Sequence, residues 1–340
     1  MVNYPVRSGI DTYLVYAEEP AFASAGNFTS SAGNFGIITD FSTTPNRSMR
    51  RITGVKATLP TANTESTARD PQFILKGVFG GDMSVAFIPQ EWSWLRYVMG
   101  TVSGSGTSAA KFNYPQATGS TTTDKRNYLR IPSMTLSSNY YFEGSGDATS
   151  KAWRFLGGKV DSANIKGKVN DTVSASVTVK YADMTGTTTL DTGVALPSTE
   201  PYNFTGVSIE YPIGTPIPNI LDSFDLTINN AIEVIPGMGS DVGKAGKEMK
   251  RESTLKITVK QEGTGFLDDF MGAATSLSEP VEISEIKITL TSTTANKKLI
   301  VHCLRCKLAD ESLPNQYPNI VDETITLIPQ VVYFEEQTSA

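Results

Sequence analysis

The sequence predicts a mainly β fold of two tandem antiparallel β-sandwich or half-barrel units, each with one short flanking helix. Three observations support this prediction. Runs of alternating apolar and polar residues occur along the whole chain, stretches suited to a helix are few, and one sequence motif occurs twice. Its two copies are WSWLRYVMG at 92–100 and TGFLDDFMG at 264–272. An alternation of period two is typical of strands that bury one face.

The repeated motif belongs to a longer internal duplication. The same shift of 172 residues pairs Met83 with Leu255 and Val85 with Ile257. Loops of different length should change the shift between copies. Upstream a shift of 183 and downstream a shift of 152 then continue the match, with these pairs: Phe41 and Phe224, Asn46 and Asn229, Val173 and Ile325, Tyr181 and Tyr333.

The elements follow from local patterns. Strands are predicted where apolar residues alternate with Ser, Thr or Lys, as in SASVTVKY at 174–181, FDLTIN at 224–229 and EIKITL at 285–290. Helices are predicted at 89–99, where Pro suits a first helical turn, and at 264–271, where Thr264 can cap. Each unit should therefore be a sheet with a single helix packed on it.

These elements divide the chain into segments. Residues 1–33 form an N-terminal arm, 34–184 the first β unit, 185–215 a linker and 216–336 the second β unit. A Ser/Thr/Gly-rich insertion at 101–125 has no counterpart in the second unit. We expect the insertion to lie on the outside.

Composition restricts the possible functions. The 340 residues carry a net charge of −6, without a basic and apolar leader or an apolar run of about 18 residues. We therefore expect a soluble protein made without export and not associated with a membrane. An acidic chain also argues against a surface that grips nucleic-acid phosphates, because such binding draws on clustered Lys and Arg.

Basic residues nevertheless cluster in both copies of one duplicated segment, the long connection before the strand of Met83 or Leu255. Both a solvated loop and an interaction loop fit these clusters. Their members are Arg47, Arg50 and Arg51 in the first copy, and Lys244, Lys247, Lys250 and Arg251 in the second.

Catalytic and ligand motifs are weak. The single histidine, His302, stands beside Cys303 and Cys306, but residues three apart on a strand point to opposite faces and no second Cys pair completes a zinc site. We expect a buried structural role and free thiols. GMGSDVGKAG at 237–246 has the wrong spacing for a phosphate loop. No enzyme, cofactor or metal site is predicted, although scattered acids leave a glycosidase formally open.

Several stretches together resemble the tail tube proteins of tailed viruses, bacteriophage or archaeal. The resemblance spans about 35–333 and is carried by RRITGVKA, ILKGVFGGDMSVAFIPQEWSWLRYVMG, RFLGGKVDSANIKGKVNDTVSASVTVKYAD and SFDLTINNAIEVIPGMG. It implies sandwiches that join into rings, with the rings stacked into a hollow tube in the virion tail. It also implies assembly in the host cytoplasm, and as partners further copies of the chain, a tape measure protein and tail terminator or baseplate proteins. Viral double-stranded DNA would pass through the lumen without specific binding.

Three expectations accompany the resemblance. The loops at 47–72 and 231–251 should contact the neighbouring ring, the polar strand faces should line a neutral or negative bore, and three two-unit chains rather than six should close a ring. The alternative function is a carbohydrate-binding or adhesin-type tandem sandwich. That alternative needs exposed aromatic residues, whereas Trp92 and Trp94 lie on the repeated helix and are expected in the core.

Overall fold

A computed structural model provides the structure of the chain. It describes residues 12–29, 32–53, 72–103, 110–113, 131–140, 151–187, 189–191, 200–217, 221–238, 240–260, 269, 272, 280–292, 297–312 and 322–338.

The described residues form eighteen strands. In chain order these are β1 Thr12–Glu18, β2 Ala32–Gly33, β3 Ile37–Thr53, β4 Gln72–Ile88, β5 Thr101–Ser103, β6 Ala110–Asn113, β7 Met134–Tyr140, β8 Lys151–Lys168, β9 Ser174–Tyr181, β10 Asp183–Thr187, β11 Val207–Glu210, β12 Leu221–Asn229, β13 Ile232–Pro236, β14 Gly243–Glu248, β15 Glu252–Lys260, β16 Glu282–Thr291, β17 Lys297–Ser312 and β18 Asp322–Thr338.

Sixteen of these strands belong to one antiparallel sheet that curls into a half-barrel, and β13 and β14 form a separate hairpin. The predicted mainly β class is confirmed, since 71% of the described residues are in strands and 5% are helical. The central path of the sheet runs β3-β4-β9-β8-β12-β15-β18-β17. Its first four strands come from the first unit and its last four from the second, and the units meet where β8 pairs with β12.

The core lies on one face of this path. Along β9, Ala175, Val177 and Val179 are buried, while Ser176 and Thr178 between them stay partly exposed. One hydrophobic cluster contains residues of both units. Because burial alternates with the strand period, each strand contributes an apolar side to the core and a polar side to the opposite face.

The helix predicted at 89–99 is shorter and begins later. A 3₁₀ turn occupies Ser93–Leu95 and the helix α1 occupies Arg96–Met99. Pro89 directly follows the last ladder residue of β4, so the chain must first turn away from the sheet before a helix can start. The second predicted helix, at 264–271, lies outside the described residues except for Asp269, which is helical. No helix in the described parts has both the length and the apolar character needed to cross a membrane.

Trp92 and Trp94 pack inside the molecule, as predicted. They are 0% and 1% exposed, and the Trp94 ring meets Phe87 of β4 edge-on at 5.2 Å. The role expected for these indoles is therefore confirmed.

The prediction that Cys303 and Cys306 point to opposite faces is wrong. Both thiols are free and fully buried. Arg305 between them has a φ of 52°, in the left-handed region, while the register against β16 stays constant, with Leu304 opposite Glu285 and Cys306 opposite Ile283. The left-handed conformation of Arg305 breaks the strict alternation of the strand and lets Cys306 face the core like Cys303.

The insertion at 101–125 is not wholly external. Its strand β6 pairs with β18, with Phe112 opposite Phe334, and Phe112 is 3% exposed. A Phe within a polar segment thus fixes part of the insertion to the second unit.

Candidate assembly surfaces

The junction of the two units, β8 with β12, is an uninterrupted antiparallel ladder. It runs from Ser223 opposite Lys168 to Asn229 opposite Ser162. We call this ladder the internal seam. On the polar face of the seam, Asn164 donates hydrogen bonds to Asp225 and, over 2.8 Å, to Thr227. Backbone and side-chain bonds together make two β units one sheet.

The end of the internal seam is secured by Asp161 and Asn230. Asn230 N donates to Asp161 O over 2.7 Å, and Ile232 N donates to Asp161 Oδ1 over 2.6 Å. The Asn230 amide is 1% exposed and donates to the carbonyl oxygens of Val98 and Val160, each at 3.1 Å. The second unit is therefore anchored on the helix of the first.

Beyond the internal seam, the β13–β14 hairpin folds back over the first unit. Phe79 N donates to Asp241 O over 2.7 Å, and Lys180 Nζ donates to Ile232 O over 2.8 Å. Lys159 and Glu248 form an ion pair at 3.1 Å, with side chains only 6% and 9% exposed. Both charges of this buried pair have lost their hydration. Removing either partner would therefore leave the other charge buried without a counter-charge.

The predicted contact residues in this segment divide into two groups. Lys244, Lys247 and Lys250 are exposed. Arg251 instead donates to Val98 O over 3.3 Å, and its guanidinium also contacts Met99 Sδ at 2.7 Å. Arg251 therefore serves the contact between the units, while the three lysines remain at the surface.

Arg47 joins the two predicted loops within one chain. Its guanidinium contacts Asp241 at 3.5 Å and lies 5.5 Å from the centre of the Phe79 ring. The side chains of Arg50 and Arg51 lie outside the described parts of the structure. Sequence reasoning placed both loops in equivalent positions but missed Asp161 and Asn230, which are single polar residues with no motif around them.

Among the described residues, the central path has unpaired backbone at each end. Within the described residues, β3 pairs only with β4. The last residues of β17, from Leu308 to Ser312, pair with β18 on one side, whereas β16 reaches only as far as Lys307. Exposed strand edges are templates for pairing with another chain.

The two halves of the path repeat the same ladders. Phe41 stands opposite Val85, and the residues predicted to correspond, Phe224 and Ile257, also stand opposite each other. The shifts of 183 and 172 are thus confirmed. The downstream shift of 152 is wrong. Met83 pairs with Val179 and Leu255 with Leu327, which gives 148. A slip of four residues keeps every side chain on its own face, so hydrophobic alternation cannot detect it.

The polar face of the path carries mainly hydroxyl and amide groups, and its charges are of both signs. Lys166 pairs with Asp225 at 3.4 Å and Lys260 pairs with Asp322. The Asp322 carboxylate, which accepts a hydrogen bond from Lys260, raises the pKa of that amine. The hydroxyl and amide residues of this face include Ser42, Thr44, Asn46, Ser84, Ser162, Asn164, Ser176, Thr178, Thr227, Asn229, Thr254, Thr258, Thr324 and Thr326.

A duplicated sheet whose edge strands are open within the described residues is suited to pairing with further copies of the chain. A comparison with protein families gives the class directly. The family described as phage tail tube protein matches residues 9–333, and the chain belongs to this family. It is thus a structural component of the virion tail that assembles into a tube with tail-associated partners. Nothing favours the adhesin alternative, and a comparison with curated proteins finds no match.

Proposed function

We propose that three copies of this chain close head to tail into a ring, and that the rings stack into the tail tube through which the viral double-stranded DNA leaves for the host. The carrying observation is that both ends of the central path offer unpaired backbone among the described residues: β3 pairs only with β4, and Leu308 to Ser312 of β17 pair only with β18. A contact between two different surfaces generates a ring whenever the rotation closes. Here each chain supplies two equivalent units, so the ring has three-fold symmetry and pseudo-six-fold symmetry.

The size of the bore supports three chains. Roughly 24 strands at about 4.8 Å give a circumference of about 115 Å and a diameter of about 37 Å, before strand tilt widens it. Inward side chains take about 5 Å on each side and leave about 27 Å, enough for a duplex about 20 Å wide. Six chains would leave about 63 Å by the same arithmetic, far more than a duplex needs.

The polar face of the path lines this bore. Its hydroxyl and amide groups and its paired charges offer few free cations, whereas a Lys/Arg-rich lining would bind the duplex through counterion release. DNA then slides through without specific binding. The chain acts without catalysis or a cofactor, is assembled in the host cytoplasm, and meets a tape measure protein inside and terminator or baseplate proteins at the tube ends.

Contacts between rings come from the two long connections, 47–72 and 231–251. In the second, Met238 near the tip of the hairpin and Lys244, Lys247 and Lys250 are exposed. Arg47, Arg50 and Arg51 lie in the first connection, and Arg251 forms the base of the second. Basic tips on an acidic molecule favour contact with the acidic surface of the next ring.

Electron microscopy of the purified chain, reconstructed without imposed symmetry, tests this function. We expect hollow tubes with three chains per ring and a mixed or acidic polar lumen. Rings of six chains would overturn the stoichiometry, a predominantly Lys/Arg lumen would overturn the lining, and a monodisperse monomer at all concentrations would overturn the assembly.

A further inference from the structure

We infer that the seam between two chains repeats the internal seam residue for residue: β3 of one copy pairs with the end of β17 in the next copy, with Asn46 opposite Asp310 and Thr44 opposite Ser312. The inference rests on the proposed ring and specifies its contact. The occupant of both open edges is a second copy of this chain.

The first step is the equivalence of β3 and β12. Both strands pair with the strand that leads into the flanking helix segment, β4 or β15, in the same register. β12 then uses its other edge to join β8, whereas the same edge of β3 is unpaired among the described strands. A shift of 183 residues places Asn46 where Asn229 stands and Thr44 where Thr227 stands.

The second step is the equivalence of the β8–β9 and β17–β18 pairs. Each contains one irregularity of register, between Val160 and Ser162 in the first and between Leu308 and Asp310 in the second. These two irregularities lie at equivalent positions, because the shift of 148 residues derived from the ladders relates one to the other. A bulge is a specific local feature, so its repetition fixes the alignment independently of hydrophobic alternation.

The third step transfers the internal register. Asn229 lies opposite Ser162 and Thr227 opposite Asn164. The two shifts convert these pairs into Asn46 opposite Asp310 and Thr44 opposite Ser312, and both are pairs of hydrogen-bonding residues on the polar face. Arg47 N takes the place of Asn230 N, which donates to Asp161 O in the internal seam. Its acceptor in the next copy is the carbonyl oxygen of Ala309.

Two differences show how the contact between chains departs from its template. Pro45 occupies the position of Ile228 and has no N–H, so the ladder between chains lacks one hydrogen bond. In the first unit the cross-strand pair Lys159–Lys180 lies beneath the β13–β14 hairpin, whereas its counterpart Lys307–Ile328 leaves Ile328 52% exposed. Ile328 would be exposed in this way in a single chain if the neighbouring chain covers it in the ring.

Cysteine cross-linking in assembled tubes tests the register. Asn229 and Ser162 form a pair whose backbone groups point away from each other, because the adjacent Asn230 N points to β8. The Cα atoms of such non-hydrogen-bonded pairs lie about 4.5 Å apart, within disulfide range. The double variant Asn46→Cys with Asp310→Cys, assembled under reduction and then oxidised, should give covalent oligomers on a non-reducing gel. The native thiols of Cys303 and Cys306 are buried and do not compete.

Three matched variants complete the test. Asn229→Cys with Ser162→Cys is the internal control and should cross-link within single chains. Ser42→Cys with Asp310→Cys is out of register by four residues and should give no oligomer. If the first pair prevents assembly, Thr44→Cys with Ser312→Cys probes the same register. Tubes that form but give no in-register oligomers, or give as many with the Ser42 pair, overturn the inference and leave the tube intact. Failure of the unsubstituted chain to form tubes overturns the proposed function instead, and the largest covalent species reports the number of chains in a ring.

Discussion

The two β ribbons that extend from equivalent strands behave differently. In the first unit, β3 and β4 pair beyond a shift of register between Arg47 and Met49 and continue together to Thr53 and Gln72. In the second unit, the equivalent ribbon breaks at Ala231, which has a φ of 47°, and β13–β14 folds over the first unit. The break and the shift lie at corresponding positions, 231 and 48. The same structural element therefore bends where its chain provides a neighbouring unit and runs on where it does not.

The residues that hold the bent ribbon of the second unit have counterparts of a different type at the equivalent positions of the duplication. Glu248 corresponds to Lys76 and its partner Lys159 corresponds to Lys307, so an equivalent contact between chains would bring together two lysines in place of the buried ion pair. The internal contact is thus stronger than the contact proposed between chains.

The largest effect is expected at the ion pair. Glu248→Ala should lower the free energy of unfolding by about 3–5 kcal/mol, because it leaves the Lys159 amine buried without a counter-charge. Urea denaturation followed by fluorescence measures the change. Lys250→Ala, at an exposed site nearby, should change it by less than about 0.5 kcal/mol. Equal effects of the two substitutions would show that the ribbon is not held by this pair.

Asn230 makes its hydrogen bonds within the chain, whereas its counterpart Arg47 lies on the β3 edge that is unpaired among the described strands. Asn230→Ala should destabilise the chain by about 2 kcal/mol, since the carbonyl oxygens of Val98 and Val160 lose a buried donor. Arg47→Ala should change the stability of the monomer by less than about 1 kcal/mol, because its ion pair is partly exposed. Thermal unfolding of dilute, unassembled protein gives both values, and a larger loss for Arg47→Ala would contradict the comparison.

Ile328 should matter for assembly and not for folding. Ile328→Asp should raise the protein concentration needed for tube formation about tenfold, or about 1.4 kcal/mol, by placing a charge where a neighbour covers the surface. Sedimentation of tubes from a dilution series measures it. Ile213→Asp is the matched control, since Ile213 is 45% exposed and lies outside both seams. Equal behaviour of the two variants would remove Ile328 from the contact.

The smallest effect is expected at Pro45. Pro45→Ile restores the residue type of Ile228 and one backbone donor, worth about 1 kcal/mol, and should lower the concentration needed for assembly about fivefold. Light scattering during assembly is a sufficient measurement. Pro20→Ile, at an exposed position outside both seams and both long connections, should leave assembly unchanged. Assembly that becomes weaker with Pro45→Ile would indicate that this edge must stay unpaired.

The sequence by itself determined the β class, the duplication and the buried indoles of Trp92 and Trp94. These features depend on local alternation and on residue chemistry, which a repeated pattern makes visible twice. It also placed both long connections in equivalent positions. It could not determine the downstream register, because shifts of 152 and 148 put the same side chains on the same faces.

Only the tertiary structure decided how the two units join. The β8–β12 ladder consists of backbone hydrogen bonds, which any residue except proline can make. No side-chain pattern therefore predicts it. The left-handed conformation of Arg305, which lets Cys306 face the core, likewise depends on backbone conformation rather than residue type. Asp161 and Asn230 acquire their roles from partners that are distant in sequence, and only the folded sheet brings those partners within hydrogen-bonding distance.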